Sequence, residues 1–390
     1  MVEYRIAATH EHEALIRILT HAFASDPSGY ADFFKRAGYD NLRVASNDGE
    51  VVGTATLIKM GMFFGGRSVP TEGVAGVAVK ADQMRRGIAT SMMASLVREL
   101  GERGVALSAL YASTVSLYRK GGYEAAGGRF LGTMLAREIP FAERELDVRG
   151  AGPADTEAVH ALYRQSAASH PGFLDRGAYL WPRLTHERFG VPAHGLLVEA
   201  DGVLEGYVYY RKVKGGAMDR HHLHVTDMVA ATPRAVRRIW TCLRDLGTML
   251  ETVVIPTSPT DPFQLALPDP RHAVRLYDRW MLRIANLPAA IVCRGFPPGL
   301  RATLHLDVTD DVVAANAGRW VINVRDGAGV AERGGGGTVR ITARGFASLY
   351  AGYASPASLA AIGQLDCEPE HYATLAAPFA GPVAWMRDHF

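Results

Sequence analysis

The chain has 390 residues, 48% of them hydrophobic and 21% charged, with a formal net charge of +2. That length predicts two or three domains, and so small a charge argues against nucleic acid or a membrane surface as partner. No apolar run reaches the ~20 residues of a membrane span, and the charged start MVEYRIAATHEHEALIRI has no signal-peptide core, so a cytoplasmic location is expected.

Residues 3–8 read as a strand, and Thr9 as the cap of a helix over 10–24 with apolar Ala14, Leu15, Ile18, Leu19, Ala22 and Phe23. The following AFASDPSGYADFFKRAGY reads as a loop carrying acids and aromatics. Asp26, Asp32, Tyr30, Phe33 and Phe34 are candidates there for a binding mouth, with a plain core role for the aromatics as the competing reading. Strands over 42–45 and 51–59 meet at Asn47-Asp48-Gly49, a hairpin turn signal. Gly65-Gly66 then turns the chain into residues 68–71.

The most informative stretch is VAGVAVKADQMRRGIATSMMASLVREL, residues 74–100. It reads as a strand to Val79, a polar loop over 80–83, and a glycine-bearing turn opening a helix. Ile88, Met92, Met93, Leu96, Val97 and Leu100 recur on one helical face. The first N–H groups of a helix lack partners, and its dipole adds positive potential. Arg85 and Arg86 strengthen that field, while Gly87 lets a bulky anion approach the backbone. The loop therefore suits a pyrophosphate, although neither the P-loop nor the dinucleotide glycine pattern is present. An ordinary strand–turn–helix with surface arginines is the competing reading.

A strand over 105–111 follows, then a short helix within Ser113-Thr114-Val115-Ser116-Leu117-Tyr118-Arg119-Lys120-Gly121-Gly122-Tyr123, and a strand over 130–137. The loop Met84-Arg85-Arg86-Gly87-Ile88-Ala89 resembles the acetyl-CoA loop of GNAT acyltransferases, Arg/Gln-x-x-Gly-x-Gly/Ala, with Met84 as a departure from the pattern. Tyr118 before Gly122-Tyr123 resembles the second GNAT element, in which a tyrosine on a short helix packs beside the coenzyme. The order β-α-β-β-β-α-β-α-β is the arrangement expected of a GNAT domain.

Residues 138–150 read as a transition. Beyond them a shift of 144 positions aligns Arg5 with Arg149, Glu13-Ala14 with Glu157-Ala158, and Ala24, Ser25 and Pro27 with Ala168, Ser169 and Pro171. This self-similarity predicts a duplicated scaffold, continued by strands over 195–200, 203–212 and 223–230 and a helix over 233–246. That helix has no glycine near its start, so the second copy is not expected to hold the coenzyme. Its Arg234, Arg237 and Arg238 read as a solvated face. His221, His222 and His224 lack a carboxylate to complete a metal-ligand pattern, and no metal is assigned. Cys242, Cys293 and Cys367 are too scattered for a disulfide framework or a zinc site.

The last third reads as a linker over 283–290 into a smaller domain. It carries strands over 302–306, 318–325 and 337–343 around the flexible ERGGGG tract, and helical segments GFASLYAGY, SPASLAAIGQL and 371–377. It resembles the sterol-carrier-protein-like fold. The expected fold class is α+β, with two tandem GNAT-like domains (1–140 and 141–287) and a sterol-carrier-protein-like domain (288–390).

Taken together, VAGVAVKADQMRRG, STVSLYRKGGY, RWMLRIANLPAAIVCRGF, ASLYAGYASPASLAA and the aromatic C-terminus Asp388-His389-Phe390 resemble the enhanced-intracellular-survival (Eis) family of N-acetyltransferases over the full length. The resemblance implies an acetyl-CoA-dependent N-acetyltransferase with no metal, acting on amines of polar or polycationic molecules such as aminoglycosides, and a homo-oligomer, commonly a hexamer. Coenzyme positions carried over are Val77, Ala78, Val79, Arg85, Arg86, Gly87, Ile88, Ala89, Ser113 and Thr114. Tyr118 matches the general acid, and the terminal carboxylate of Phe390 the general base. Glu72, on the coenzyme strand, is the rival base. A phenol with a pKa near ~10 can protonate a thiolate, whereas a terminal carboxylate near ~3.5 is a weak base unless desolvated. Gly76 stands where relatives present a bulkier pocket residue and would widen the acceptor channel, so Asp26, Phe34, Glu72 and Gly76 form the expected acceptor side. Two other functions remain open: a lipid- or ligand-binding protein working through the C-terminal domain, and a protein lysine acetyltransferase.

Overall fold

In the computed structural model, which describes residues 2–215 and 220–390, the chain passes repeatedly between two units. The first holds residues up to Gly127, Arg279–Ala384 and Phe390, and the second holds Gly128–Asp278 and Trp385–His389.

The first unit opens with β1 (Glu3–Ile6), α1 (His12–Phe23), α2 (Tyr30–Ala37), β2 (Leu42–Asn47), β3 (Glu50–Phe64) and β4 (Arg67–Val79). It continues through α3 (Ile88–Glu102), β5 (Leu107–Tyr111), α4 (Val115–Lys120) and the start of β6 (Glu124–Leu135). Strands β1 to β4 pair antiparallel in sequence order, and β4 pairs parallel with β5. A parallel pair needs a crossover, which α3 supplies. Pleating sends alternate residues to opposite faces. Thus Ala45, Val52 and Val74 meet the apolar stripe of α3, while Val44, Val51 and Ala78 meet Leu15, Ile18 and Leu19 of α1.

Residues 30–37, expected as a loop, form helix α2. An Asp32–Arg36 pair at 2.5 Å ties its exposed side one turn apart, and Phe34 and Ala37 are buried. Phe34, expected at the acceptor side, is 1% exposed within the α1 core. An aromatic one turn from an alanine on a short amphipathic helix is driven inward, because a phenyl ring gains more from burial than from water.

The second unit contains β7 (Asp147–Gly150), α5 (Thr156–Ala167), β8 (Leu174–Asp175), α6 (Trp181–Thr185), β9 (His194–Ala200), β10 (Val203–Lys214) and β11 (His221–Ala230). After it come α7 (Pro233–Asp245), β12 (Leu250–Thr257), α8 (Pro262–Leu265) and the start of β13 (Ala273–Ile284). Strands β7, β9, β10 and β11 pair antiparallel, and β11 pairs parallel with β12 across α7, the same wiring as β4–α3–β5. Trp240, Ile239 and Leu243 of α7 centre its core. A buried polar cluster lies beside it. Arg176 is bonded to Asp227 at 2.6 Å and to Asp388 at 3.0 Å, and the Tyr207 hydroxyl donates to Asp227 at 2.7 Å. Asp388 thereby anchors the C-terminal segment, which also bonds through Met386 N to the Gly128 carbonyl at 2.9 Å.

The end of β13, from Trp280 to Ile284, pairs antiparallel with β5 in the first unit. The link expected over 283–290 is made of this strand end and α9 (Leu287–Cys293), capped by Asn286 accepting from Ala289 N at 3.0 Å. There follow β14 (Arg301–Thr309), β15 (Gly318–Arg325), β16 (Ala328–Arg333), β17 (Val339–Thr342), α10 (Ala343–Tyr350), α11 (Pro356–Ala361), β18 (Leu365–Asp366) and α12 (Tyr372–Ala376). The sheet order is β16-β15-β14-β17-β18. A fully buried Arg283–Asp310 pair at 2.6 Å joins this part to the first unit's strands. Asn316 reinforces the join, accepting from Leu287 N and donating to the Ile284 and Ala285 carbonyls.

Candidate active site

β4 pairs with β5 only over residues 71–73 against 107–109. Just beyond, the register of β4 on β3 shifts between Thr54 and Thr56, with Gly76 at φ +58° inside the irregularity. An extra residue bends the bulged strand, and β4 and β5 pair no further. A cavity of about 600 Å³ opens at this end of the sheet.

Most of the residues singled out for the coenzyme meet here. Val77, Ala78 and Val79 line the cavity from β4, Arg85, Gly87, Ile88 and Ala89 from the loop and helix start, and Ser113, Thr114 and Tyr118 from the α4 side. Arg86 is not part of the lining. His21, Ala22 and Phe23 at the end of α1 are, together with Gln83, Met84, Thr90 and Leu117. Sequence reasoning passed over His21, Ala22 and Phe23 because nothing in a helix C-terminus marks it as a wall. Met84, the departure from the loop pattern, is 63% exposed at this rim.

The loop geometry suits an anion. Gly87 caps α3 at φ 79° and ψ 0° with no side chain over the helix start, and an added Cβ there would meet nothing within 4 Å. The first N–H groups of α3 have no intrahelical partner and sit at the positive end of its dipole. Arg85, itself at φ 62°, adds a guanidinium. A cavity of this size with fixed donors at one end and apolar Val77, Val79 and Leu117 along it fits a pyrophosphate with a long, mostly apolar arm.

In the second unit the corresponding helix start is closed. The Thr232 hydroxyl accepts from Ala235 N at 3.2 Å, and Glu205 binds both Thr232 and Arg234. The side-chain cap takes a backbone donor of the kind that α3 leaves open, and the Glu205 carboxylate sets a negative charge beside it.

Tyr118 is 5% exposed, with its ring 6.2 Å from Tyr123. Burial pushes its phenol up to about 12, so it keeps its proton throughout the neutral range. Phe390 is 6% exposed and packs its ring 5.5 Å from that of Tyr111 at the end of β5. Gly73 provides the seat: a Cβ there would come within 2.8 Å of the Phe390 ring and 2.9 Å of Met60. Neither Gly73 nor Tyr111 stood out in the sequence. The glycine inside a buried strand was the available signal, since such a residue marks a close approach.

Glu72 and Gly73 are neighbours on β4 and so point to opposite faces. Glu72 is salt-bridged to Arg103 at the end of α3, while Gly73 faces Phe390. As rival base Glu72 is therefore engaged on the face away from the Phe390 ring. Asp26 is exposed and caps a turn by accepting from Ser28 N at 2.7 Å. Hydrogen bonding from the Ser28 side chain and backbone holds its carboxyl below the usual range. Gly76 lines no part of this cavity. Its would-be Cβ has ordinary contacts with Leu19, Thr56 and Phe33, and the left-handed φ of the bulge calls for glycine.

Comparison with known proteins agrees with this geometry. Family models described as an acetyltransferase (GNAT) domain match residues 3–126 and, separately, 172–284, and one described as a sterol carrier protein domain matches 287–387. The chain is 30% identical over 340 residues to the N-acetyltransferase Eis of Mycobacterium tuberculosis, spanning 81% of this chain and 79% of that protein. It is 28% identical over 338 residues to an uncharacterized N-acetyltransferase of Streptomyces avermitilis, spanning 80% and 78%. The structure matches a GCN5-related N-acetyltransferase from Anabaena variabilis with a TM-score of 0.95 at 29% identity over 100% of both chains. It shares the fold of Eis1 from Mycobacterium abscessus at a TM-score of 0.81 and 22% identity, again over 100% of both. With two GNAT domains, a sterol-carrier domain and this degree of identity over four-fifths of its length, the chain belongs to the Eis family of GNAT N-acetyltransferases.

Proposed function

We propose that the chain transfers an acetyl group from acetyl-CoA to a primary amine of a small polar or polycationic molecule, with Tyr118 as general acid and the terminal carboxylate of Phe390 as general base. The domain limits that go with this reading are 1–140, 141–287 and 288–390. The observation that carries it is the convergence of Val77–Val79, Arg85, Gly87, Ser113, Thr114 and Tyr118 on one cavity where β4 parts from β5.

Acetyl-CoA bound there supplies the activated acyl group. Arg85 and the open N–H groups of α3 hold its pyrophosphate, and the unpaired edge of residues 77–79 orients its amide arm by strand-like hydrogen bonding. Tyr118, still protonated at neutral pH, holds a proton ready for the departing sulfur. The Phe390 carboxylate, its ring fixed between Gly73 and Tyr111, draws in the cationic amine and takes up its proton directly or through a water. Holding both groups in place converts a bimolecular encounter into an oriented one.

Incubating the protein with acetyl-CoA and a panel of amines, polycationic ones included, while following free thiol tests this reading. Thiol release with at least one amine, together with saturable coenzyme binding, is expected. Neither thiol release nor coenzyme binding would overturn it.

A further inference from the structure

The helix that carries Tyr118 cannot hold its own position. α4 has six residues, and Thr114 before it makes no side-chain cap bond, whereas isolated helices shorter than ~12 residues are marginal in water. Burial is what raises the Tyr118 phenol, and among the described residues no hydrogen bond steers its hydroxyl. The aim of that hydroxyl therefore follows from where α4 sits.

The tie is made on the next residue. Arg119 Nε and Nη2 donate to Glu124 Oε1 at 3.1 and 2.8 Å. Glu124 Oε2 accepts in turn from Arg344 Nε and Nη2 at 3.0 and 2.6 Å. Arg344 is the second residue of α10, in the part matched by the sterol carrier model, and it belongs to the same compact unit as α4. Glu124 is 5% exposed, and Ala125 N also donates to it at 3.1 Å. Burial raises its carboxyl, but the hydrogen bonds from Arg119 and Arg344 outweigh that and hold it below its ordinary value. It is charged at neutral pH. A carboxylate held by a guanidinium fork on each side fixes direction as well as distance. The turn after α4 leans on the same neighbourhood: a Cβ on Gly122, at φ +82°, would come within 2.9 Å of Arg283 Nε.

We propose that Arg344 is a positioning residue for acetyl transfer. Through Glu124 and Arg119 it fixes α4 and thereby aims the Tyr118 phenol at the departing sulfur. This rests on the reading of Tyr118 as general acid. It gives the sterol-carrier part a second route into the chemistry, beside the chain end.

A double-variant cycle on the full chain tests it. Steady-state thiol release, with the panel amine that turns over fastest, is measured for the original chain, Arg344→Gln, Tyr118→Phe and both together. Arg344→Gln is expected to lower kcat about tenfold with coenzyme affinity within about threefold. In the Tyr118→Phe background the same change should move kcat by less than about twofold, because the group it aims is gone. Hydrogen exchange follows the clamp without turnover: residues 115–120 should exchange about tenfold faster in Arg344→Gln, with α3 as before. Arg344→Gln at the original rate beside a slow Tyr118→Phe overturns the proposal and leaves the general acid standing. An equal loss in both backgrounds, or unmoved exchange over 115–120, overturns it too. Tyr118→Phe at the original rate instead breaks the general-acid reading, and the proposal with it. Should Arg344→Gln not fold, as judged by its melting curve, Arg119→Gln cuts the same bonds from the α4 side and decides by the same outcomes.

Discussion

At the scale of single residues, the site depends on two glycines and a tyrosine, each for a different reason. Gly87 is there for its left-handed backbone, and alanine at such a position costs ~1–3 kcal/mol. Gly87→Ala should therefore weaken coenzyme binding about tenfold, read by titration, with little change in the rate at saturation. Gly73 is there for space. Gly73→Ala would push on the Phe390 ring, and a lower kcat with coenzyme affinity within about threefold of the original is expected. Tyr118 is held protonated by burial, with its phenol near 12. Tyr118→Phe should cut kcat by ~10²-fold or more, within the range of general acid–base catalysis, while coenzyme binding stays. Because the raised phenol stays neutral up to about 12, any alkaline fall in rate below pH 10 belongs to another group. The sequence disclosed Gly87 and Tyr118 because motif spacing marks them. It did not disclose Gly73, whose meaning lies in a residue more than three hundred positions away.

At the scale of elements, α3 carries the site and is fixed at its far end by a charged knot. The Glu99 carboxylate accepts from Arg43 at 2.6 and 2.8 Å, from the Tyr4 hydroxyl at 2.6 Å and from Arg103 at 3.0 Å. Burial raises the Glu99 carboxyl, but the hydrogen bonds from Arg43 and Tyr4 outweigh it and hold it at about 2. A depressed carboxyl contributes stability that is present above its unfolded value near 4.5 and is lost as pH falls toward 2. Denaturant melts should show this steep acid loss in the original chain and a flatter profile in Glu99→Gln. The variant should also be ~1–3 kcal/mol less stable at neutral pH, from the lost charged hydrogen bonds. Most elements could be read from periodicity: the α3 stripe at helical spacing, the hairpin at Asn47-Asp48-Gly49, and the duplicated opening. Helix α2 could not, because Asp-Pro-Ser-Gly before it and Gly38 after it leave eight residues that look like loop. Only the core that Phe34 enters makes them a helix. That the link over 283–290 is a strand end and a helix was equally hidden, since strand pairing of Trp280–Ile284 with β5 is a long-range choice that local composition does not carry.

At the scale of the whole molecule, three family-level domains were legible in the motifs, while the compact units follow tertiary bonds instead. The pairing of Trp280–Ile284 with β5 brings residues after 279 into the first unit, and the buried Arg283–Asp310 pair and the Asn316 bonds tie the following sheet to that strand. Removing one partner strands a buried charge at a cost of about 3–5 kcal/mol, so Asp310→Asn should lower the first unit's melting temperature markedly. The C-terminus shows the same logic. Asp388, bonded to Arg176 in the second unit, stands two residues before Phe390, which belongs to the first. The chain end is thus anchored immediately before the group proposed to act.

The most direct measurement concerns that group. Semisynthesis can convert the Phe390 carboxylate to an amide, keeping the ring seated on Gly73 and Tyr111 while removing the charge. Steady-state thiol release and coenzyme titration are then compared with the unaltered chain. A fall in kcat of ~10²-fold or more with coenzyme affinity within about threefold is expected. An amidated chain that turns over at the original rate would contradict the terminal-carboxylate mechanism.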